Sequence, residues 1–135
     1  MPIPESFHAR AAAALPGHLG VVVTHAEGRE VRAELPIRPH TMAPNGYLHG
    51  GSLVTLADTA CGYGSMANLP EGSTGFTTIE LKSNHLATAR DGTVDCVATA
   101  AHLGRTTHVW DATLTHRETG RTLALFRCTQ MILRG

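Results

Sequence analysis

The sequence NGYLHGG at residues 45–51 leads directly into the apolar run SLVTLADTA at residues 52–60, and together these two stretches decide the fold of the chain. From Ser52 onward, apolar residues recur at the spacing of one helical face. The residues of this face are Leu53, Leu56, Ala57, Ala60, Cys61 and Gly64. The pattern predicts one long, buried central helix that begins at Ser52 and ends before Pro70 and Gly72.

The same stretch carries the strongest chemical signal. Two glycines just before a helix leave its first backbone N–H groups open to a ligand, and the helix dipole adds partial positive charge there. Asp58 lies inside the apolar run, where a carboxylate is costly to bury without a partner or a task. The functional hypothesis is that the glycine N–H groups polarise a carbonyl while Asp58 supplies acid–base or nucleophilic chemistry. The structural alternative is a tight turn followed by a hydrogen-bonded interface carboxylate.

Composition narrows the class of protein. A chain of 135 residues fits one domain, here residues 1–135, and a formal net charge of zero gives no reason to expect nucleic acid or a membrane as partner. The three cysteines are widely spaced and odd in number, which is typical of buried thiols in a reducing compartment. No run reaches the ~18 apolar residues of a membrane span, and no leader segment is recognisable. We therefore expect a soluble, cytoplasmic protein.

The remaining elements predict an α+β fold. An alanine-rich stretch from Pro4 to Leu15 predicts an opening helix that Pro16-Gly17 stops. Strand-like segments follow at residues 20–25 and 30–35 before the central helix, and at 76–88, 93–103, 106–116 and 122–133 after it, with a loop at residues 36–48. Consecutive strands joined by short turns favour an antiparallel sheet, which a single apolar helix needs as its cover.

The stretch NGYLHGGSLVTLADTACGYG at residues 45–64 resembles the hotdog-fold acyl-CoA thioesterases of the phenylacetate-degradation (PaaI-like) group, within the 4-hydroxybenzoyl-CoA thioesterase superfamily. Their pattern G-x-x-H-G-G, six further residues and an acidic residue is matched by Gly46, His49, Gly50, Gly51 and Asp58. The similarity continues through residues 77–82 and 104–106 into the last strand. It implies a curved antiparallel sheet wrapped around one long helix, and hydrolysis of an acyl-CoA thioester to free acid and CoA.

The resemblance also implies a homo-oligomer, a dimer or a tetramer, with active sites between subunits. Helix geometry gives independent support for a shared site. Gly50 and Asp58 are eight residues apart, so they lie about 12 Å apart along one helix, whereas reacting groups must approach to ~3–3.5 Å. If both act on one thioester carbon, they must come from different chains.

Roles for individual residues follow from the resemblance. Gly50 N–H, with or without that of Gly51, polarises the carbonyl, and Asp58 acts either as general base or as nucleophile. His49 shapes the turn, and Thr78 stands where the family often places a hydroxyl near the catalytic water. The chain has Ala43 where relatives commonly place an amide, and Asn45 is the nearest substitute.

Four further residues are candidates to bind CoA phosphates or nucleotide through cationic side chains and turn N–H groups: Lys82, Arg90, Arg105 and Thr106. No metal and no other cofactor is expected, because the nine histidines form no helical ligand pair and no Cys/His cluster. Two alternatives remain open. One is binding of an acyl thioester without cleavage. The other is hydration of an enoyl-CoA, which needs a different Asp/His arrangement. The acyl group, aromatic or a short or medium chain, is not determined.

Overall fold

A computed structural model describes residues 3–135 of the chain. Two helices precede the sheet, α1 (Glu5–Ala13) and α2 (Leu15–Leu19). The predicted opening helix is present as α1, but the prediction that Pro16-Gly17 stops it was wrong, because α1 ends at Ala13 and both residues lie in α2. Ala14 is extended and separates the helices, while Pro16 lies in the first turn of α2, where proline is tolerated. A Cβ on Gly17 would lie 1.9 Å from the carbonyl oxygen of Ala12, so α2 packs tightly against α1 only because this residue is glycine.

The central helix is α3 (Gly50–Ala67), which begins two residues earlier than predicted. It starts at Gly50 because His49 caps it, so the two glycines form its first turn rather than the loop before it. The predicted apolar face is confirmed, since every residue assigned to it is buried against the sheet.

Six antiparallel strands form one sheet: β1 (Val22–Glu27), β2 (Glu30–Pro36), β3 (Gly75–His85), β4 (Thr93–Leu103), β5 (Thr107–His116) and β6 (Thr122–Leu133). Their order is β1-β2-β4-β5-β6-β3, so β1 and β3 are the two edges. The predicted α+β class and the hotdog arrangement of curved sheet and long helix are confirmed. β3 ends three residues earlier than predicted and β5 begins one residue later.

A bulge in β3 decides which of its residues face the helix. Thr78 pairs with Gln130 and Glu80 pairs with Thr129, which leaves Ile79 as the extra residue. Without it, Thr78 and Glu80 would share a face. With it, Thr78 lies opposite the buried Gln130, while Glu80 turns to the other side of the sheet.

All three cysteines are free and buried, as predicted. Within residues 3–135, no helix is long and apolar enough to cross a membrane. In the same part of the chain, no group of three or more His, Cys, Asp or Glu side chains is placed to hold a metal ion.

Candidate active site

The site begins at the first turn of α3. His49 Nδ1 accepts a hydrogen bond from Gly51 N–H at 2.8 Å, so this ring nitrogen is unprotonated and the ring caps the helix. The N–H of Gly50 makes no hydrogen bond within the described residues 3–135. Gly51 is therefore engaged, and of the two glycines Gly50 presents the free donor at the positive end of the helix dipole.

The buried Thr41 fixes the position of this helix tip. Its carbonyl oxygen accepts from His49 N–H at 3.1 Å and from the Ser52 hydroxyl at 2.7 Å. Asn45 lies in an exposed turn of the preceding loop, where its Oδ1 accepts from Tyr47 N–H at 3.1 Å. The Asn45 oxygen is thus used locally, to shape the loop, and does not contact Asp58 of the same chain.

Asp58 lies two turns into α3 and is hydrogen-bonded across to β3. Thr78 Oγ1 lies 3.1 Å from Asp58 Oδ1 and 2.7 Å from Gln130 Oε1. Burial raises the pKa of Asp58 above its ordinary value, and the hydrogen bond from Thr78 opposes part of that rise. A half-buried carboxylate with a raised pKa is a stronger proton acceptor than an exposed one, which suits a general base.

A cavity of about 280 Å³ opens beside Asp58, between α1 and α3. Three aromatic side chains, Phe7, Tyr63 and Phe76, line it together with the small Ala11 and Gly62. Phe7 and Tyr63 pack edge to face, with 5.0 Å between ring centroids. Arg10 is the cationic residue among those that line it. This is an open, largely apolar pocket with the carboxylate at its wall.

The structure brings some predicted residues together and separates others. Asp58 and Thr78 are in contact, whereas Gly50 and Asp58 lie two helical turns apart in one chain. The sequence analysis missed two neighbours of the site, Gln130 and His85. Gln130 was detectable, because strand alternation places this amide on the apolar face of β6. His85, whose ring would lie 3.3 Å from a Cβ on Gly50, gave no signal because the bulge hides its register.

The four candidate CoA-binding residues do not form one group within the chain. Arg90 stacks over the Tyr47 ring at 4.4 Å and donates to its hydroxyl at 2.8 Å, beside the loop before α3. Arg105 lies with Asn68 and His108 around a different cavity, at the C-terminal end of α3, next to Thr106 in the β4–β5 turn. Lys82 is exposed on the outer face of the sheet with Asp111 and Arg127, opposite to Asp58, so the geometry of the chain does not support its role in the site.

Comparison with known proteins matches this geometry to a class. The profile of the thioesterase superfamily matches residues 45–128, from the loop before α3 into β6. A 1,4-dihydroxy-2-naphthoyl-CoA hydrolase of Listeria monocytogenes is 33% identical over 111 residues, which cover 82% of this chain and 89% of the relative. A mutant thioesterase from Pseudomonas aeruginosa has a similar structure, with a TM-score of 0.89, 32% identity and coverage of 98% of this chain and 95% of that one.

The Escherichia coli PaaI protein, from the phenylacetic acid degradation operon, shares the fold with a TM-score of 0.84 at 21% identity, over 97% of this chain and 91% of that one. The fold and these matches define a hotdog thioesterase, a hydrolase of thioester bonds. The chain belongs to the thioesterase superfamily.

Proposed function

We propose that this thioesterase hydrolyses an acyl-CoA, and that its active site is shared between two copies of the chain. The observation that carries the proposal is the pairing of a free Gly50 N–H at the tip of α3 with a half-buried Asp58 two turns along the same helix. Each group is suited to one half of thioester hydrolysis, and one chain holds them too far apart to act together.

The edge strand β3 explains how two copies would complete each other. One end of β3 is tied to the helix tip, because His85 packs on Gly50, and Thr78 further back along the strand is tied to Asp58. If β3 pairs antiparallel with β3 of a second copy, each end of the strand lies beside the opposite end of the partner strand. This pairing would bring the Gly50 tip of one copy beside Asp58 of the other. Ile79 and Leu81, which are exposed on this edge, would be covered by the same contact.

In the proposed reaction the thioester carbonyl oxygen accepts the Gly50 N–H, and the dipole of α3 stabilises the negative charge that develops on it. Asp58 then acts by one of two routes: it removes a proton from an attacking water, or it attacks the carbonyl carbon itself. In the first route the carbon–sulfur bond breaks, the free acid forms, and CoA leaves as the thiolate, which the proton held by Asp58 neutralises. In the second route the same bond breaks to leave a mixed anhydride between the acyl group and Asp58, and water then hydrolyses the anhydride to the free acid and restores the carboxylate. Thr78 holds the carboxylate in place, and His49 keeps the first turn in shape.

The cavity beside Asp58 favours an aromatic acyl group over an aliphatic one. A cavity of about 150 Å³ already holds a benzene ring, and this one is larger and is walled by three aromatic side chains. Arg10 on its lining suits an acyl group with a hydroxyl or carboxylate at its far end. Arg90, beside the loop before α3, and Arg105, at the C-terminal end of α3, remain our candidates for the CoA phosphates. The buried free thiols fit a reducing compartment, and we place the enzyme in the cytoplasm.

Thiol release from a panel of acyl-CoAs, with matched aromatic and aliphatic members, tests the proposal. We expect turnover with the wild type, and a loss in kcat of at least about a hundredfold in Asp58→Asn and Asp58→Ala, as for removal of a positioned acid–base group. Asp111→Asn is the matched control, because this carboxylate pairs with Arg127 on the outer face of the sheet. Full turnover in Asp58→Asn would refute the assignment. Binding of acyl-CoA by the wild type without thiol release would instead favour a non-catalytic binding protein.

A further inference from the structure

The hydroxyl of Thr78 lies between two oxygen acceptors but has one proton to donate. Thr78 Oγ1 is 3.1 Å from Asp58 Oδ1 and 2.7 Å from the amide oxygen of Gln130, and it cannot donate to both. Both contacts are compatible with an ionised Asp58 in only one orientation of the Gln130 amide. In it, the Gln130 amide is turned by half a rotation, so that its NH₂ group donates to Thr78 and Thr78 donates to Asp58.

The surroundings of Gln130 favour the turned amide. Gln130 is completely buried (0% exposed), so each of its polar atoms needs a protein partner. In the unturned orientation its Nε2 faces the sulfur of Cys128 at 3.6 Å, a weak acceptor for a buried amide donor. In the turned orientation Cys128 S–H donates to the amide oxygen, the NH₂ group donates to Thr78, and Thr78 donates to Asp58.

We propose that Gln130 is a positioning residue for the thioesterase reaction: it holds Thr78 as a hydrogen-bond donor to Asp58 and so favours the ionised form of the catalytic carboxylate. This inference rests on the proposed role of Asp58. Gln130 does not touch substrate in this account, since it lies behind Thr78 on the neighbouring strand, directly opposite in register. It acts through the direction of one hydrogen bond.

The pH dependence of kcat/KM distinguishes the two amide orientations by sign, because its acidic limb reports ionisation of the free enzyme's Asp58. If Gln130 donates to Thr78, its removal weakens the Thr78 bond to the carboxylate and moves the limb to higher pH. If Gln130 accepts from Thr78, it competes with Asp58 for the single proton, and its removal moves the limb to lower pH.

Few other ionisable groups face Asp58. On α1 there is Arg10 across the cavity, with His8 beyond the Tyr63 ring. On α3 there are Cys61, whose pKa is raised by its hydrogen bond with Cys128 and then by burial, and Tyr63, whose pKa burial raises, so both stay neutral. On β6 there is the thiol of Cys128, and on β3 the bulge turns Glu80 to the outer face. A movement of the acidic limb in a Gln130 variant is therefore assigned to Asp58.

The experiment compares kcat/KM in the wild type, Gln130→Met and Thr78→Val. The measurements run from pH 4 to 9, a range of about five units around the ordinary carboxyl and imidazole pKa values. We expect Gln130→Met to lose about fivefold in kcat/KM on the acidic limb, the factor that one hydrogen bond supplies, with little change on the plateau. In the Thr78→Val background, Gln130→Met should cause no further loss of kcat/KM, because the hydrogen bond from Thr78 to Asp58 is already absent.

Movement of the limb to lower pH, or no movement, would overturn the inference, as would an additive effect in the double variant. Gln130→Leu serves in the same way if Gln130→Met does not fold, and thermal unfolding monitored by circular dichroism identifies that case. Failure of this inference differs from failure of the proposed function. If Asp58→Asn is inactive while Gln130 variants keep the wild-type profile, only the role of Gln130 falls. If Asp58→Asn turns over normally, the proposed function falls first.

Discussion

Asp58 lies where burial disfavours the ionised form of its carboxyl group. Burial in α3 raises its pKa, and the hydrogen bond from Thr78 only partly offsets this. A group with a raised pKa in the folded state binds protons more tightly there than in the unfolded chain. Its contribution to stability is complete below the ordinary carboxyl range and is lost as the pH rises through the folded-state pKa. At neutral pH the ionised Asp58 therefore destabilises the fold.

The variant Asp58→Asn should accordingly be more stable than the wild type at pH 7, while losing activity. Asparagine has the same shape, stays neutral, and can still accept from Thr78. We expect a higher Tm for the variant at pH 7 and equal Tm values near pH 3, below the ordinary carboxyl pKa of about 3.9. Thermal unfolding at both pH values measures this, with Asp111→Asn as control. Burial does not dominate the pKa of that exposed carboxylate, which the Arg127 hydrogen bond instead lowers. A lower Tm for Asp58→Asn at pH 7 would contradict the account.

Single residues also show which parts of the site can be predicted from the sequence and which cannot. Asp58 and the glycines at positions 50 and 51 could be found, because a carboxylate in an apolar helical run and paired glycines at a helix start are unusual locally. His85 could not. Its contact with Gly50 joins the end of β3 to the start of α3, and its orientation depends on the bulge at Ile79. No local pattern in residues 75–85 reveals which residue of a strand is the extra one.

At the scale of elements, α3 was predictable in type and in its buried face, because its apolar spacing repeats over the whole helix. Its first residue was not, since capping by His49 depends on the conformation of a histidine ring. The interface of α3 with β5 depends on Gly64, where a Cβ would lie 2.4 Å from the Trp110 ring. The sequence indicated that the glycines of α3 permit close approach of another backbone, but not that the approaching element is β5.

The first turn of α3 offers a direct test of the proposed carbonyl-binding group. Proline is well tolerated at the first position of a helix, and the preceding His49 is already extended, as a residue before proline must be. Gly50→Pro should therefore fold and keep α3, but it lacks the N–H that we assign to the thioester oxygen. We expect kcat to fall by about 10²–10³-fold, as for loss of one oxyanion-hole donor.

Gly50→Ala is the matched control for that variant. Its Cβ meets the His85 ring at the same 3.3 Å, so the steric effect is shared, but it retains the N–H. Thiol-release kinetics, with circular dichroism to confirm folding, should show Gly50→Ala near wild type and Gly50→Pro close to inactive. Equal activity of the two variants would mean that the N–H of Gly50 does not bind the substrate carbonyl.

For the whole molecule, our proposal is that each chain carries both halves of an active site and holds them too far apart to act together. Asp58 is held against its own β3 by Thr78, and Gly50 is held against the other end of the same strand by His85. Sequence analysis reached this conclusion from helix rise alone, because the distance between two residues on one helix does not depend on the rest of the fold. The strand that we propose as the contact between copies could not be predicted, since the proposal depends on which strand lies at the edge of the sheet.

Two inactive variants should therefore restore activity when they are mixed. After exchange of subunits between Asp58→Asn and Gly50→Pro, half of the dimers contain one chain of each kind. In such a dimer one site combines an intact Asp58 with an intact Gly50, and the other site has neither. Thiol release by an equimolar mixture should rise to about one quarter of wild-type turnover per chain. Mixing Asp58→Asn with Asp58→Ala is the control, because no arrangement of these chains contains a complete site. If the first mixture stays as inactive as its components while sedimentation shows that subunits have exchanged, then each site is built from a single chain, and the role of either Gly50 or Asp58 has been assigned wrongly.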